Sequence, residues 1–301
     1  MPIERNGKYV LEFGNVLFAV DPMVGARIVT FSLGGKNLLT DASADSSNQG
    51  LYGSTFWPSP QTSVSWGGSS WPPIPEVDGQ PYNATLDGDT VVMTQQATSV
   101  RGKMSVTKRF TAVLNAQAVD VQYTITNKDT AAVSRAPWEI TRVPLSGITF
   151  FPTGTAVVPV ASGTAALNPS RITTSGGVTW YQNQPCTGFN SSNNSCASGD
   201  IGKYIADGSE GWVAQVVGNA LFVKRYLDVP AAQAAPGEAD VEFYAGPGYE
   251  EIEPQGPYQS IDPGASLTWT VRWYVRQLSD TNIATVGNSA LVTLARDTIK
   301  Q

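Results

Sequence analysis

Glu251 and Glu253 are the residues of this chain whose type and spacing best suit acid–base chemistry. In an extended strand successive side chains point to opposite faces, so both carboxylates share a face with Tyr249 while Ile252 points the other way. If Ile252 faces a core, the carboxylates line the opposite surface or a cleft. Two carboxylates this close raise the pKa of one of them, which is one way to make a general base that works near neutral pH. The alternative is an acidic edge strand that prevents edge-to-edge association.

The absence of histidine from all 301 residues narrows the possible chemistry. It excludes a Ser-His-Asp triad, a Cys-His pair and a histidine-ligated zinc site. Proton transfer must then depend on Glu, Asp, Lys, Arg, Tyr or water. The chain also lacks a glycine-rich phosphate loop followed by a helix and an EF-hand pattern, so we expect no cofactor and no metal.

Further candidates lie around Trp138 and after the second cysteine. If residues 135–144 are extended, Trp138 and Arg142 share one face and Glu139 occupies the other. An arginine beside a carboxylate keeps that carboxylate ionised, and a purely structural ion pair is the alternative. Lys203 and Tyr204 can donate protons or hydrogen bonds to a ligand, although a lysine in a polar segment is commonly a solvated surface residue.

The segment Leu51–Tyr82 differs in composition from its surroundings, since it contains Trp57, Trp66 and Trp71 among many prolines. Prolines are excluded from central strands, so the segment is predicted to be a long ordered loop. Loops of this length are usually functional. Flat aromatic faces beside polar groups suit sugar rings. Alternatively, the tryptophans plug the open end of a sandwich.

These residues must be positioned by β-structure. Short β-branched stretches separated by Gly, Asn and Asp turns recur along the chain, as in residues 9–13, 16–20, 105–113 and 118–126. Strands at such short spacing indicate a sandwich or barrel. Helical periodicity is confined to the tail, Ser289–Ile299. We therefore predict one mainly antiparallel all-β domain over residues 1–301.

Cys186 and Cys196 flank a polar loop and are predicted to form a disulfide. Closing so short a loop stabilises the fold by roughly 2–3 kcal/mol. A low charged fraction of 15% fits an oxidising compartment, so we expect a secreted or periplasmic protein whose signal peptide is absent from this chain. Two free thiols in a cytosolic loop are the alternative.

Charge and hydropathy restrict the partners. The net charge is −6 and basic residues form no cluster, which argues against nucleic acid and anionic membranes. No apolar run reaches the ~18 residues typical of a membrane span. The remaining expectation is a carbohydrate ligand, either a monosaccharide or an oligosaccharide.

Several short motifs resemble the galactose-mutarotase-like, or aldose 1-epimerase-like, superfamily. They are Gly25–Ile28, Leu33–Leu39, the turn at Thr126–Asp129, and Ile252–Gln255 followed by Pro263-Gly264. The resemblance covers most of the chain and is closer to an uncharacterised bacterial branch than to true aldose 1-epimerases. It implies a mainly antiparallel β-supersandwich.

The same resemblance implies roles for individual residues. Glu253 takes the position of the catalytic base. True aldose 1-epimerases protonate the ring oxygen with a histidine, which this chain lacks, and the first histidine of the family falls near Glu139. Glu139 or Lys203 is therefore the candidate acid. The candidate substrate-binding residues are Trp57, Trp66, Trp71, Trp138, Arg142, Tyr204, Glu251 and Gln255.

Two functions remain open. One is a carbohydrate-active enzyme with epimerase-like acid–base chemistry, and the other is a non-catalytic glycan-binding protein that uses an aromatic platform. Two protonatable groups about 5–9 Å apart across a cleft favour catalysis. An aromatic platform without such a pair favours binding.

Overall fold

The computed structural model describes residues 1–45, 50–97, 101–156, 165–182, 184–192, 195–197 and 201–301. Strands are the main regular secondary structure of these ranges. They are β1 (Ile3–Arg5), β2 (Lys8–Phe13), β3 (Val16–Asp21), β4 (Arg27–Leu33), β5 (Lys36–Asn37), β6 (Ser54–Ser59), β7 (Tyr82–Asp87), β8 (Thr90–Gln95), β9 (Met104–Val113), β10 (Ala118–Asn127), β11 (Val133–Val143), β12 (Ile148–Pro152), β13 (Ile172–Ser175), β14 (Val178–Gln182), β15 (Gly202–Ala206), β16 (Trp212–Val217), β17 (Ala220–Arg225), β18 (Val241–Ala245), β19 (Glu250–Pro254), β20 (Gln259–Ile261) and β21 (Ser266–Gln277). The α-helices of the same ranges are α1 (Pro75–Asp78) and α2 (Ser289–Thr298).

The strands form two sheets. The first has the order β1-β2-β3-β4-β6-β11-β19-β18-β15, with β5 beside β4 and β20 beside β11. The second has the order β13-β14-β12-β16-β17-β21-β10-β9-β8-β7. All ladders between these strands are antiparallel. The predicted all-β, mainly antiparallel sandwich is confirmed.

The main core lies between the two sheets. Its centre is an aromatic cluster in which Trp273 of the second sheet lies 5.9 Å from Phe18 and 5.4 Å from Phe31 of the first, measured between ring centroids. Phe222 packs against the same indole at 5.0 Å. Rings at these distances and angles contribute attraction beyond their buried area, so this cluster holds the sheets face to face.

A smaller core lies on the outside of the second sheet. Leu291 and Ala295 of α2 are buried there with Trp180 and Trp212. Asn288 caps the helix by accepting hydrogen bonds from two backbone amides of its first turn, which explains where the predicted C-terminal helix begins. Within the described ranges, no helix is long and apolar enough to cross a membrane.

The prediction of a continuous loop over residues 51–82 is wrong in part, because β6 lies within it. The ladder between β6 and β11 pairs Pro58 with Pro137. Neither proline can donate, so this is a non-hydrogen-bonded pair of the ladder, where the backbone nitrogens point away from each other. On its other side, β6 pairs with β4 only at Ser54. No strand of the described ranges therefore lies beside Pro58 there with a carbonyl that would need its N–H.

The disulfide is present. Cys186 and Cys196 are bonded, with their Cα atoms 5.5 Å apart. The bond closes the predicted polar loop, of which residues 193 and 194 lie outside the described residues. Across the loop, Asn190 and Ser195 exchange backbone hydrogen bonds of 2.8 and 3.2 Å.

Candidate functional site

The candidate site lies on the outer face of the first sheet, which is the face turned away from the second sheet. Five adjacent strands, β6, β11, β19, β18 and β15, contribute to it. Their registers place Trp57 opposite Trp138, and Arg142 opposite Glu251. Because antiparallel partners point to the same face, side chains distant in sequence become neighbours there.

Arg142 and Glu251 form a buried ion pair, with Nη2 and Oε1 2.8 Å apart. The guanidinium also lies over the rings of Trp57 and Tyr249, at 5.6 and 5.8 Å from their centroids. Burial raises the pKa of Glu251 to about 7; Arg142 opposes this and the neighbouring carboxylate of Glu253 reinforces it. Glu251 can therefore carry a proton near neutral pH.

Lys203 is the second cation of the site. Its Nζ lies 2.5 Å from Glu242 Oε2 and 3.0 Å from Glu253 Oε2, and 4.4 Å from the ring centroid of Trp138. Burial alone would lower the pKa of Lys203, but the charges of Glu242 and Glu253 outweigh it and raise that pKa above its usual value. Lys203 thus holds its proton firmly, which suits a counter-ion better than an acid.

Glu242 and Gln255 complete this side of the site. Gln255 donates to Glu242 Oε1 at 2.8 Å and forms an isolated bridge with Trp138. Burial raises the pKa of Glu242 well above its usual range, against the opposing charge of Lys203. Sequence reasoning missed Glu242, because the pairing of its strand with β19 has no local signal.

Asp78, which ends α1, fixes Trp57 from the other side. Its Oδ1 accepts hydrogen bonds from Thr55 Oγ1 at 2.5 Å and from Trp57 Nε1 at 2.8 Å. Its Oδ2 lies 3.2 Å from Nη2 of Arg27. Burial works against ionisation, but Arg27 and these hydrogen bonds lower the pKa of Asp78. Sequence reasoning missed Asp78 and Arg27 as well.

Several buried polar atoms of this face have no hydrogen-bond partner in the described part of the chain. Removing such an atom from water without a partner costs about 1–3 kcal/mol, so a cluster of them points to a ligand that supplies the missing bonds. They are Ser59 Oγ, Trp138 Nε1, Arg142 Nε and Nη1, Glu253 Oε1 and Gln255 Oε1.

The structure does not bring all the candidates together. Glu139 points to the opposite face, into the core, where its Oε1 lies 2.8 Å from Nζ of Lys224, so it is not an acid of this site. Tyr204 also faces the core side and stacks on Phe243. Trp66 is fully buried and donates to the carbonyl of Pro58 at 2.7 Å, as the plug interpretation predicts.

Access to the site is narrow. Glu253 is 1% exposed and Glu251 7%, whereas Trp71, at the edge, is 41% exposed. The ring of Trp71 meets Trp57 edge to face, with centroids 6.0 Å apart. Nothing in the described ranges groups three or more Cys, Asp or Glu side chains in a geometry that could hold a metal ion.

Solved structures define the class of fold. A galactose mutarotase related enzyme from Lactobacillus acidophilus has a TM-score of 0.57 and 9% identity, covering 91% of this chain and 99% of that one. A galactose mutarotase-like protein from Lactobacillus casei has a TM-score of 0.54 and 11% identity, covering 90% of this chain and 100% of that one. One from Clostridium acetobutylicum has a TM-score of 0.54 and 10% identity, covering 90% of this chain and 95% of that one. The fold is that of the galactose-mutarotase-like β-supersandwich.

A family model described as "Domain of unknown function (DUF4380)" matches residues 8–276, and the chain belongs to that family. This agrees with the predicted separate branch of the superfamily. No curated protein matches the chain. At the identities of the solved structures, the likeness establishes the fold and leaves the chemistry to be argued from the site.

Proposed function

We propose that the protein binds a sugar on the outer face of the first sheet and exchanges its anomers by acid–base chemistry. The observation that carries the proposal is the cluster of buried polar atoms around Glu253 and Trp138 that find no partner within the described ranges. The mutarotase-like fold supports a sugar as the ligand. The disulfide supports an exported protein.

Glu253 is the proposed base and Glu251 the proposed acid. They are two residues apart on one strand and point to the same face, with their Cα atoms roughly 6.5–7 Å apart. Oε1 of Glu253 has no hydrogen-bond partner among the described residues and is available to accept a proton. Glu251, with its pKa raised to about 7, can hold the proton to be donated.

The reaction moves two protons. Glu253 takes the proton of the anomeric hydroxyl while Glu251 protonates the ring oxygen, and the bond between the anomeric carbon and the ring oxygen breaks. The resulting aldehyde recloses after its carbon turns its other face to the ring hydroxyl, and the two protons return. Positioned groups of this kind contribute 10²–10⁴-fold each.

Binding is assigned to neighbouring side chains. Trp138 contributes an indole N–H that has no partner among the described residues, and Arg142 and Gln255 offer further hydrogen bonds. Lys203 covers Trp138 in this structure, so a sugar that stacks on that ring must displace the ammonium.

Exchange NMR on glucose and galactose tests the proposal. Glu253→Gln should lower the anomer exchange rate by about 10²–10⁴-fold and leave the dissociation constant nearly unchanged, because Gln keeps a donor and an acceptor. Glu12, which pairs with Arg5 on the surface, offers the matched control Glu12→Gln, which should keep full activity. Full activity in Glu253→Gln rules out the base assignment.

Non-catalytic glycan binding is the second candidate, because Lys203 already neutralises Glu253 and Trp71 offers an exposed ring. Wild-type protein that binds a sugar without accelerating exchange would establish it. Wild-type protein that binds none of a broad panel of sugars would overturn both candidates.

A further inference from the structure

Trp71 is an exposed tryptophan in a segment that is tied down before it. Trp66 is buried and bonded to the carbonyl of Pro58. Nη2 of Arg135 donates to the carbonyl of Ser65 at 2.9 Å. The chain therefore leaves the core of the protein at a fixed point a few residues before Trp71.

The segment is also held on both sides of Trp71 itself. Nε2 of Gln61 donates to the carbonyl of Ser70 at 3.0 Å, and Nη2 of Arg101 donates to the carbonyl of Pro73 at 3.1 Å. In a loop without these hydrogen bonds, the indole could fold back onto the apolar surface of the protein. Here a held backbone keeps the indole 41% exposed at a fixed place beside Trp57.

The position of Trp71 relates it to the proposed catalytic groups. Trp57 stands between Trp71 and Trp138, with centroid distances of 6.0 and 5.4 Å. Trp138 lies under Lys203, which contacts Glu253. A path of side-chain contacts thus runs from the carboxylates to Trp71 at the solvent-exposed edge.

We propose that the substrate is the reducing-end sugar of an oligosaccharide, with the next sugar stacked on Trp71. The inference rests on the proposed function. Anomer exchange requires a free anomeric hydroxyl at Glu253, so the sugar at the carboxylates is the reducing end. The rest of the glycan is attached through another hydroxyl, and Trp71 is the exposed aromatic surface next to that inner position.

Paired measurements on short and long sugars test this. Wild-type protein is titrated by calorimetry with glucose, galactose, cellobiose, maltose and lactose, and exchange rates are measured by NMR on the same sugars. At least one disaccharide should exceed its reducing-end monosaccharide by about tenfold in affinity and in kcat/KM, the effect of one ring contact.

Trp71→Ala should abolish that tenfold gain, so that each disaccharide binds and exchanges no better than its reducing-end monosaccharide in the same variant. Trp71→Phe is the matched variant, and its smaller ring should retain part of the gain. Because Trp71 is substantially exposed, both variants should unfold at nearly the wild-type denaturant concentration, which separates lost stacking from lost folding.

The outcomes separate the two proposals. Monosaccharides that bind and exchange as well as every disaccharide, or a disaccharide gain that survives in Trp71→Ala, would overturn the oligosaccharide inference and leave the proposed function standing. Absence of binding and exchange with every sugar overturns the proposed function itself. A gain for disaccharides that disappears only in the Trp71 variants supports the inference.

Discussion

A Glu–Lys ion pair lies on each face of the first sheet, and the two pairs differ in how fully their polar atoms are hydrogen-bonded. On the inner face, Glu139 and Lys224 bridge the two sheets. On the outer face, Glu253 and Lys203 lie 3.0 Å apart. Both are Glu–Lys pairs, both glutamates are buried, and the glutamates project in opposite directions from the adjacent strands β11 and β19.

The inner pair is fully satisfied. Oε1 of Glu139 meets Lys224 at 2.8 Å and the indole N–H of Trp273 at 3.0 Å, and Oε2 accepts from Tyr123 at 2.8 Å. Lys224 also donates to Thr141 Oγ1 at 2.5 Å and to the backbone carbonyl of residue 252 at 3.2 Å. Every oxygen of Glu139 is occupied, so this pair has nothing left to offer a ligand.

The outer pair is incomplete, since Oε1 of Glu253 and Nε1 of the adjacent Trp138 have no partner in the described residues. The contrast teaches that burial and charge do not by themselves mark a functional site. What distinguishes the outer pair from the inner one is that an oxygen of its glutamate is buried without a partner in the described residues, a state that a ligand can resolve.

Removing one lysine from each face should separate them most strongly. Lys224→Met leaves the carboxylate of Glu139 unpaired in the core and should lower the free energy of unfolding by about 3–5 kcal/mol. Lys203→Met should cost only about 1–2 kcal/mol, because Glu242, whose pKa burial already raises, can take up a proton. Urea unfolding of both variants measures the difference.

The double variant Lys224→Met/Glu139→Gln is the control for that comparison. It removes both inner charges together and keeps the hydrogen bond from Tyr123, so it should recover most of the lost stability. Equal losses in Lys224→Met and Lys203→Met would show that the two faces do not differ in the way described.

Glu251 should make the outer face sensitive to pH. Its folded-state pKa of about 7 exceeds the ordinary value of 4.5, so the folded protein binds this proton more tightly between those pH values. The contribution to stability is complete below pH 4.5 and is lost as pH rises through 7, at no more than about 1.4 kcal/mol for each pH unit. Turnover should also fall above pH 7, because Glu251 then lacks the proton it donates.

Glu251→Gln tests both effects. The difference in unfolding free energy between wild type and variant should decline across this window, and the variant should lose the alkaline fall in turnover together with most of its activity. Asp240, whose pKa burial also raises to about 7, titrates equally in both proteins and cancels in the difference. A flat difference curve would contradict the assignment of a protonated Glu251.

Removing a single hydroxyl beside each face should give the smallest of the predicted differences in stability. Tyr123→Phe removes a donor from ionised Glu139 and should cost about 2 kcal/mol. Ser59→Ala removes an outer-face hydroxyl without a partner in the part of the chain that the structure describes, and should change stability by less than about 0.5 kcal/mol. Thermal unfolding of the two variants gives both values, and a similar cost for each would indicate that Ser59 has a partner after all.

Strand alternation predicted the faces correctly where it was applied within one strand. It placed Trp138 and Arg142 together with Glu139 on the opposite side, and the structure confirms that division. It also placed Glu251 and Glu253 on one face. The predicted strands, the disulfide and the C-terminal helix were equally accessible, since each depends on residues close together in the chain.

Pairing between distant strands was not accessible. Nothing in the sequence near Glu242 indicates that β18 aligns with β19 so that two glutamates face each other across the ladder. Asp78 was hidden for the same reason, because its partners Thr55 and Arg27 come from other elements. Glu139 was wrongly predicted as a candidate acid of the site. The alternation along one strand shows which side chains share a face, but which of the two faces meets the second sheet depends on the whole fold.

The proline pair in the β6–β11 ladder has a consequence for how the aromatic site is specified. A slip of these strands by one residue would bring Pro58 or Pro137 to a position where the ladder needs an N–H, and the side chains would exchange faces. Two prolines opposite each other therefore fix the register between β6 and β11. The alignment of Trp57 with Trp138 is thus fixed by the backbone of the neighbouring prolines and does not depend on contact between the two rings.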